Sequence, residues 1–298
     1  MTDHKSGFVN IIGHPNVGKS TLMNALVGER MCIINRKPQT TRHRIIGIVS
    51  DEDYQIVFSD TPGLIESPAY QMQSAMNSYA HSAFEDADVM LLVIDCNDDA
   101  PFDGKIINKI KTLTTPKILV LNKIDLVDSE QVKEVQQGWT DFLEFEAISH
   151  ISALQQKGTK ELLETILTKL PAGPPYYPKD QLTDRPERFF ISEIIREKIL
   201  ELYHQEIPYS TEVIVESFKE KESKSGPIIH ILANIYVSRK SQKAIVIGKG
   251  GASIKQLGIN ARKSIETFLD QRVHLELYVR VKENWRNDER QLKHFGYH

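Results

Sequence analysis

The chain is poor in cysteine, in tryptophan and in long apolar stretches, and each shortage narrows what it can be. Its two cysteines, Cys32 and Cys96, lie far apart in 298 residues and have no metal-ligand spacing. Both are expected to be reduced thiols in a cytosolic protein. No apolar run approaches the roughly 18 residues a membrane-spanning helix needs. Residues 1–7 are short and polar and lead straight into an apolar stretch, so no signal peptide is expected. A strong excess of one charge is missing too, the formal net charge being −3. That near-balance conceals a division. Residues 1–175 carry 16 Lys/Arg against 23 Asp/Glu, and residues 176–298 carry 21 against 17. An extended polyanionic partner is therefore expected on the second half. The length suits two ordinary domains, each with its own core.

What is present is organised around Gly13-His14-Pro15-Asn16-Val17-Gly18-Lys19-Ser20, which fits G-x-x-x-x-G-K-[ST]. The apolar run 8–12 before it reads as a short buried strand. Residues 21–26 after it, with Leu22, Ala25 and Leu26, read as a helix. A glycine loop between strand and helix presents backbone N–H groups and a helix N-terminus to phosphates. Lys19 would reach the β- and γ-phosphates of a nucleotide, and the Ser20 hydroxyl would sit on Mg²⁺. Val17, Gly18 and Thr21 complete this cradle.

The loop 31–44 is polar and contains Gln39-Thr40-Thr41-Arg42; strands are expected at 45–50 and 54–59, joined by the turn 51–53. The second ends on Asp60-Thr61-Pro62-Gly63. A carboxylate at a strand tip followed by Pro-Gly suits a metal-facing Asp60 and a Gly63 N–H offered to a γ-phosphate, although such a sequence also makes an ordinary turn. Runs 89–94 and 118–121 are apolar without alternation, as in parallel strands buried on both faces. The stretch 159–170 is an amphipathic helix with Leu162, Leu163, Ile166, Leu167 and Leu170 on one face. Together these predict a doubly wound α/β sheet with ligands at the strand C-termini. Two such ends carry Asn122-Lys123-Ile124-Asp125 and Ser152-Ala153. A carboxylate at Asp125 can accept from N1–H and the exocyclic amine of guanine, a pairing adenine cannot supply.

Four prolines in 171–178 mark a semi-rigid linker and domain boundary. The first domain is thus assigned to 1–170, the linker to 171–180, and the second domain to 181–298. In the second half a helix is expected at 187–203 and strands at 212–219, 228–238 and 272–282. Gly248-Lys249-Gly250-Gly251 forms a G-x-x-G, and Ile254, Leu257, Ala261, Ile265 and Phe268 make a stripe on the helix after it. Between 239 and 263 there are seven basic residues and no acidic ones. Glycines let a backbone approach a phosphodiester closely, and Lys249 and Lys255 add charge, so this segment reads as an RNA-binding surface. Periodicity alone makes 244–247 a strand. Trp285 either stacks on a base or plugs the core, with the core preferred, and Arg286 is assigned to RNA.

The succession G-x-x-x-x-G-K-S, T-T, D-T-P-G, N-K-x-D, S-A resembles the translation-factor class of small GTPases and, more closely, the bacterial Era family. The G-x-x-G segment is similar to a type II KH domain, a resemblance that makes 244–247 a short helix. The resemblance covers essentially the whole chain. It implies a P-loop GTPase of the doubly wound, mostly parallel α/β class, followed by an α+β KH domain. It further implies that Thr41 (rather than Thr40) closes on Mg²⁺, that Asp60 meets Mg²⁺ through water, that Gly63 senses the γ-phosphate, and that Ser152-Ala153 backs the guanine. Asn16 resembles the asparagine with which related GTPases hold K⁺; a turn-capping role is the alternative. Leu64 departs from the pattern, standing where Ras-like GTPases keep a water-orienting glutamine, so slow intrinsic hydrolysis is expected. His14 is assigned no role. The implied partners are the single-stranded 3′ end of small-subunit ribosomal RNA and the small ribosomal subunit, bound by a cytoplasmic monomer, with peripheral membrane contact left open. The rival reading is an RNA-binding module whose nucleotide domain no longer turns GTP over.

Overall fold

Two strands with apolar interiors, β4 (Val89–Asp95) and β5 (Lys117–Asn122), run through the middle of the larger sheet and are almost completely buried, as parallel strands covered on both faces must be. The computed structural model describes residues 4–35, 37–65, 67–98, 104–223 and 226–297, with the side chain of Lys105 excluded. The sheet also contains β1 (Lys5–Ile12), β2 (Ile45–Ser50), β3 (Tyr54–Asp60) and β6 (Ala147–His150), in the order β2-β3-β1-β4-β5-β6. Only β2 is antiparallel, paired with β3 through the turn at 51–53. Because β1 lies between β3 and β4, the direction of winding reverses at its C-terminal end, and a ligand crevice belongs there. The helices of this unit are α1 (Lys19–Val27), α2 (Gln71–Ser82), α3 (Gly104–Thr112), α4 (Ser129–Phe142) and α5 (Thr159–Lys169).

Residues 171–184 do not form a free spacer. Ser6 N–H donates to Pro171 O (3.2 Å), Gly173 N–H to His4 O (2.9 Å) and Ile48 N–H to Leu182 O (2.8 Å). The buried Gln55 amide accepts from the N–H groups of Tyr176 and Tyr177 and donates to Tyr177 O, and Thr183 Oγ1 donates to Ile46 O. Covering the β2 edge in this way satisfies backbone groups that would otherwise be open to another chain. The two compact units divide between Asp184 and Arg185, with Ala69–Met72 grouped with the second, so the expected boundary at 171–180 falls inside the first unit.

The second unit contains α6 (Glu187–Leu202), β7 (Thr211–Ser223), β8 (Gly226–Val237), α7 (Lys240–Ile247), α8 (Ala252–Leu269), β9 (Val273–Val281) and a final α9 (Glu289–His294). The sheet order is β7-β8-β9, with β8 parallel to β9 and joined to it through α7 and α8. Ile191, Ile195 and Ile199 of α6, Val246 of α7, and Leu257, Ala261 and Ile265 of α8 bury against one sheet face. Phe268 turns partly outward against Phe190, with ring centroids 5.8 Å apart. Residues 244–247 are helical, against their β-branched local preference, because α7 must bring Val246 onto the sheet and then stop at Gly248. Trp285 is fully buried, stacks edge-on to Phe295 (5.3 Å) and donates Nε1–H to Ser210 O (3.1 Å), so it belongs to the core. Among the described residues no helix is long and apolar enough to cross a membrane.

Candidate nucleotide site and nucleic-acid interface

The loop after β1 is held by glycines that have no room for anything larger. A Cβ on Gly13 would lie 2.5 Å from Val93 O, and one on Gly63 would lie 2.7 Å from Pro15 Cγ. Gly18 has φ +100°, and its Cβ would overlap Asn122 Nδ2. Helix α1 begins at the next residue without a side-chain cap, which leaves the first-turn N–H groups of Lys19, Ser20 and the half-buried Thr21 facing the loop. Lys19 is buried and donates Nζ–H to Gly13 O (2.9 Å) and His14 O (2.7 Å). Burial lowers its pKa to about 8, against the opposing pull of the Asp60 carboxylate. An ammonium stripped of water and parked on loop carbonyls is poised to pair with an anion entering the loop.

Three oxygens from three separate segments converge beside it. Ser20 Oγ donates to Asp60 Oδ2 at 2.7 Å, Thr41 Oγ1 lies 3.2 Å from the same oxygen, and the two hydroxyls are 3.0 Å apart. Thr40 Oγ1 instead donates to Lys37 O (2.6 Å), which turns it away from this cluster. Asp60 is fully buried, and its Oδ1 has no hydrogen-bond partner among the described residues. Burial raises the Asp60 pKa, opposed first by Lys19 and then by Ser20, the Cys32 thiol and Thr41. A buried carboxylate oxygen without a partner, beside two hydroxyls and with no metal-binding cluster of histidine, cysteine or acidic side chains among the described residues, suits a hard oxygen-seeking cation such as Mg²⁺.

At the other end of the crevice Asn122 Nδ2 donates to Val17 O (2.8 Å), and its Oδ1 accepts from Ala153 N–H (3.0 Å). One side chain therefore ties the glycine loop, β5 and the segment after β6 together. Ser152 is fully buried, and its backbone pairs with Lys157 in both directions. Lys123, at φ +63°, donates Nζ–H to Asn16 O (2.8 Å) and pairs with Asp95. Asp125 is exposed, and its carboxylate has no hydrogen bond among the described residues, which leaves both oxygens available to a base edge. Asn16 is exposed at φ +66°, in the left-handed region that asparagine tolerates. Leu64 is buried with Ile12, Ala80 and Phe84, so its side chain serves the apolar core.

Several positioning residues carried no motif. Asn24 accepts from Met31 N–H and Cys32 N–H and donates to Cys32 O, anchoring the start of the 31–44 loop to α1. Asp95 orients Lys123; its only signal was a carboxylate closing an otherwise apolar strand. Arg36, in the 31–44 loop, and Glu66, three residues after Gly63, lie outside the described residues.

In the second unit Gly248, Gly250 and Gly251 all have positive φ, at +74°, +59° and +80°. Lys249, Gly250 and Lys255 are exposed, and a Cβ on Gly250 or Gly251 would meet nothing within 4 Å. This loop is therefore open to a strand of polyanion. Arg286 stands elsewhere in the same unit, with its guanidinium 4.3 Å over the Tyr70 ring and 3.9 Å from Glu206.

A glycine-loop nucleotide crevice at a sheet switch point, followed by a strand–helix–loop–helix–strand unit with an exposed G-x-x-G, defines a P-loop GTPase joined to a KH domain. Family models agree, matching a 50S ribosome-binding GTPase over residues 8–123 and a KH domain over residues 206–286. The chain is 46% identical over 294 residues to GTPase Era of Syntrophus aciditrophicus, covering 98% of this chain and 95% of that one. A variant of Aquifex aeolicus Era bound to GDP and AlF4⁻ superposes with TM-score 0.92 at 39% identity, over 98% of this chain and 99% of that one. A structure of Era with MgGDPNP and nucleotides 1506–1542 of 16S ribosomal RNA gives TM-score 0.92 at 38% identity, covering 99% of each chain. This chain belongs to the Era family of GTPases, and it binds and hydrolyses GTP. Membership removes the reading in which the nucleotide domain is inert.

Proposed function

We propose that this chain is a GTP-controlled switch that binds the single-stranded 3′ end of small-subunit ribosomal RNA and acts in small-subunit assembly as a cytoplasmic monomer. The observation that carries the switch is the convergence of Ser20, Thr41 and Asp60, which brings the phosphate loop, the 31–44 loop and the end of β3 to one point. The RNA assignment draws on the relative bound to that ribosomal RNA segment and on the exposed basic G-x-x-G loop of this chain.

In this reading Gly13, Asn16, Val17, Gly18, Lys19, Ser20 and Thr21 wrap the phosphates, while Asn122, Lys123, Asp125, Ser152 and Ala153 hold the guanine. Ser20 and Thr41 would hold Mg²⁺ directly and Asp60 through water; the ion neutralises charge developing on the phosphates. Lys19 supplies charge to the β- and γ-phosphates, Gly63 offers its N–H to the γ-phosphate, and Thr41 closes the water-excluding loop. Leu64 is committed to the core, so the attacking water is oriented by backbone groups and turnover is slow without a partner. Asn16 is the residue to which a K⁺ requirement would be traced. Release of the γ-phosphate frees Thr41 and Gly63, and the loops relax. Gly248, Lys249, Gly250, Gly251, Lys255 and Arg286 make the RNA surface; Arg286 reaches RNA by leaving Tyr70.

The test is GTP turnover in potassium and in sodium buffer, with and without an oligonucleotide matching the 3′ end of small-subunit ribosomal RNA, together with RNA affinity in the GDP and GTP-analogue states. Slow turnover that rises with RNA, and tighter RNA binding with the analogue, are the expected results. Equal RNA affinity in both nucleotide states would overturn the switch.

A further inference from the structure

A cleft of about 440 Å³ opens where the C-terminal end of α6, one side of α7 and the first turns of α8 meet. Its lining includes Tyr203, His204, Ile207, Ile245, Ser253 and Gln256, and no residue of β9. Ile245 is 54% exposed although its neighbour Val246 is completely buried. An exposed β-branched side chain beside such a cleft is a wall without a covering partner. The cleft is held in shape by α6, since Tyr203 Oη donates to Val246 O at 2.8 Å. It also abuts the G-x-x-G loop, because Ser253 stands where a Cβ on Gly248 would fall.

The surface that the loop shares with β9 is separate. There Ile247 and Ile254 pack with Leu275 and Leu277 onto the core of the unit. The cleft lies instead between the loop carrying Lys249 and the turn 204–207, whose Glu206 lies 3.9 Å from Arg286. Exposed Lys255 precedes Gln256 on α8, and no acidic residue occurs between 239 and 263. Apolar walls for a flat ring, an amide and a hydroxyl for its edge, and lysines for the flanking phosphates describe one kind of occupant. Single-stranded nucleic acids are held by this combination of base stacking, edge hydrogen bonds and backbone charge.

We propose that this cleft is a nucleobase pocket for single-stranded RNA, taking the base of a nucleotide next to the segment clamped by the G-x-x-G loop and steering the strand toward Arg286. The proposal rests on the RNA-binding reading above. It makes the RNA footprint longer than the loop and its β9 side would accommodate, and it gives Arg286 a place on the same path.

The experiment uses the full chain with a GTP analogue and oligonucleotides matching the 3′ end of small-subunit ribosomal RNA, each carrying one abasic nucleotide at a successive position. Affinity is read by fluorescence anisotropy. In the unaltered protein one position outside the loop-clamped run should lose about tenfold in affinity when its base is removed, in keeping with the worth of a single stacked base. The double variant Ile245→Ala, Gln256→Ala should bind intact RNA about tenfold more weakly. It should also become indifferent to base removal at that one position while keeping its sensitivity elsewhere. Ser253 is left alone because it supports Gly248. Gln256→Glu alone, a substitution at an exposed site, should weaken the intact RNA and leave thermal unfolding unchanged. An abasic profile that is the same in the double variant and the unaltered protein would overturn the pocket while leaving the RNA reading intact. Failure of the unaltered protein to bind any of the oligonucleotides would overturn both.

Discussion

The two glycine loops of this molecule are built on opposite principles. In the nucleotide crevice the protein itself excludes side chains, since a Cβ at Gly13, Gly18 or Gly63 would strike Val93, Asn122 or Pro15. In the second unit Gly250 and Gly251 face open space, and only their positive φ angles favour glycine. The first loop is thus set by its own neighbours before any ligand arrives. The second is closed at its start, where a Cβ on Gly248 would strike Ser253, but its tip at Gly250 and Gly251 is set by backbone conformation and left bare for whatever approaches it. The difference suits a small polyphosphate that must be enclosed in one case and a long strand that must be laid across a surface in the other. Substitutions in the first unit should accordingly act on geometry that already exists, and substitutions in the second on an encounter.

The largest effect should come from outside both loops. Trp285 is fully buried and packs on Phe295, which in turn packs on Tyr236 of β8 with centroids 5.0 Å apart. Trp285→Ala should cost the second unit about 3–5 kcal/mol in stability, by cavity formation and loss of the hydrogen bond to Ser210. Two-transition thermal unfolding should show the loss in one unit while GTP affinity is retained; a loss of both together would break the comparison. Gly18→Ala comes next. It places a methyl group against Asn122, which links Val17 to Ala153, so GTP affinity measured by calorimetry should fall by roughly a hundredfold or more, about 3 kcal/mol.

The features that sequence reasoning found are those whose cause is local. The apolar runs of β4 and β5 announce burial on both faces, and the glycine loop announces itself by spacing. What it missed depends on partners far along the chain. Helix α7 contains Ile245-Val246-Ile247, for which periodicity alone gives a strand and only the KH resemblance gives the helix observed; tertiary packing of Val246 overrides the local preference. The prolines at 171–178 correctly mark where helix α5 has ended, yet they say nothing of the hydrogen bonds by which the Leu182 carbonyl and the Thr183 hydroxyl join β2 and bind the segment to the first unit. Gln55, Asn24 and Asp95 are single polar residues whose importance exists only once the fold delivers their acceptors and donors. Thr41 and Thr40 are equivalent as neighbours in sequence, and only the turn that hands Thr40 to Lys37 separates them.

Asp125→Asn sharpens the account of the first loop by leaving its shape intact. The carboxylate is exposed and has no hydrogen-bond partner to lose among the described residues, so folding should be unaffected. An amide can accept one hydrogen bond and donate another, which mismatches guanine and matches the carbonyl that xanthine carries in place of the exocyclic amine. Affinity for GTP should fall by about a hundredfold, roughly 2.7 kcal/mol, while that for XTP rises. Equal losses for the two nucleotides in competition binding would show that Asp125 acts through structure and not through the base.

The smallest effect should belong to Gly250→Ala. No atom lies within 4 Å of the added methyl group, so the only intrinsic cost is holding a non-glycine residue at φ +59°, about 1 kcal/mol confined to one exposed loop. Thermal unfolding should shift by a few degrees at most. A methyl group on a loop used for close backbone approach must nevertheless push a phosphodiester outward, so RNA affinity should fall several-fold even though the free protein is nearly unchanged. The same alanine change thus gives opposite signatures in the two loops. At Gly18 it damages the site itself through Asn122, and at Gly250 it is felt chiefly when RNA is present. A stability loss at Gly250 well beyond about 1 kcal/mol would mean that the tip of the second loop is also shaped by its own neighbours, and the contrast between an enclosing site and a bare one would fail.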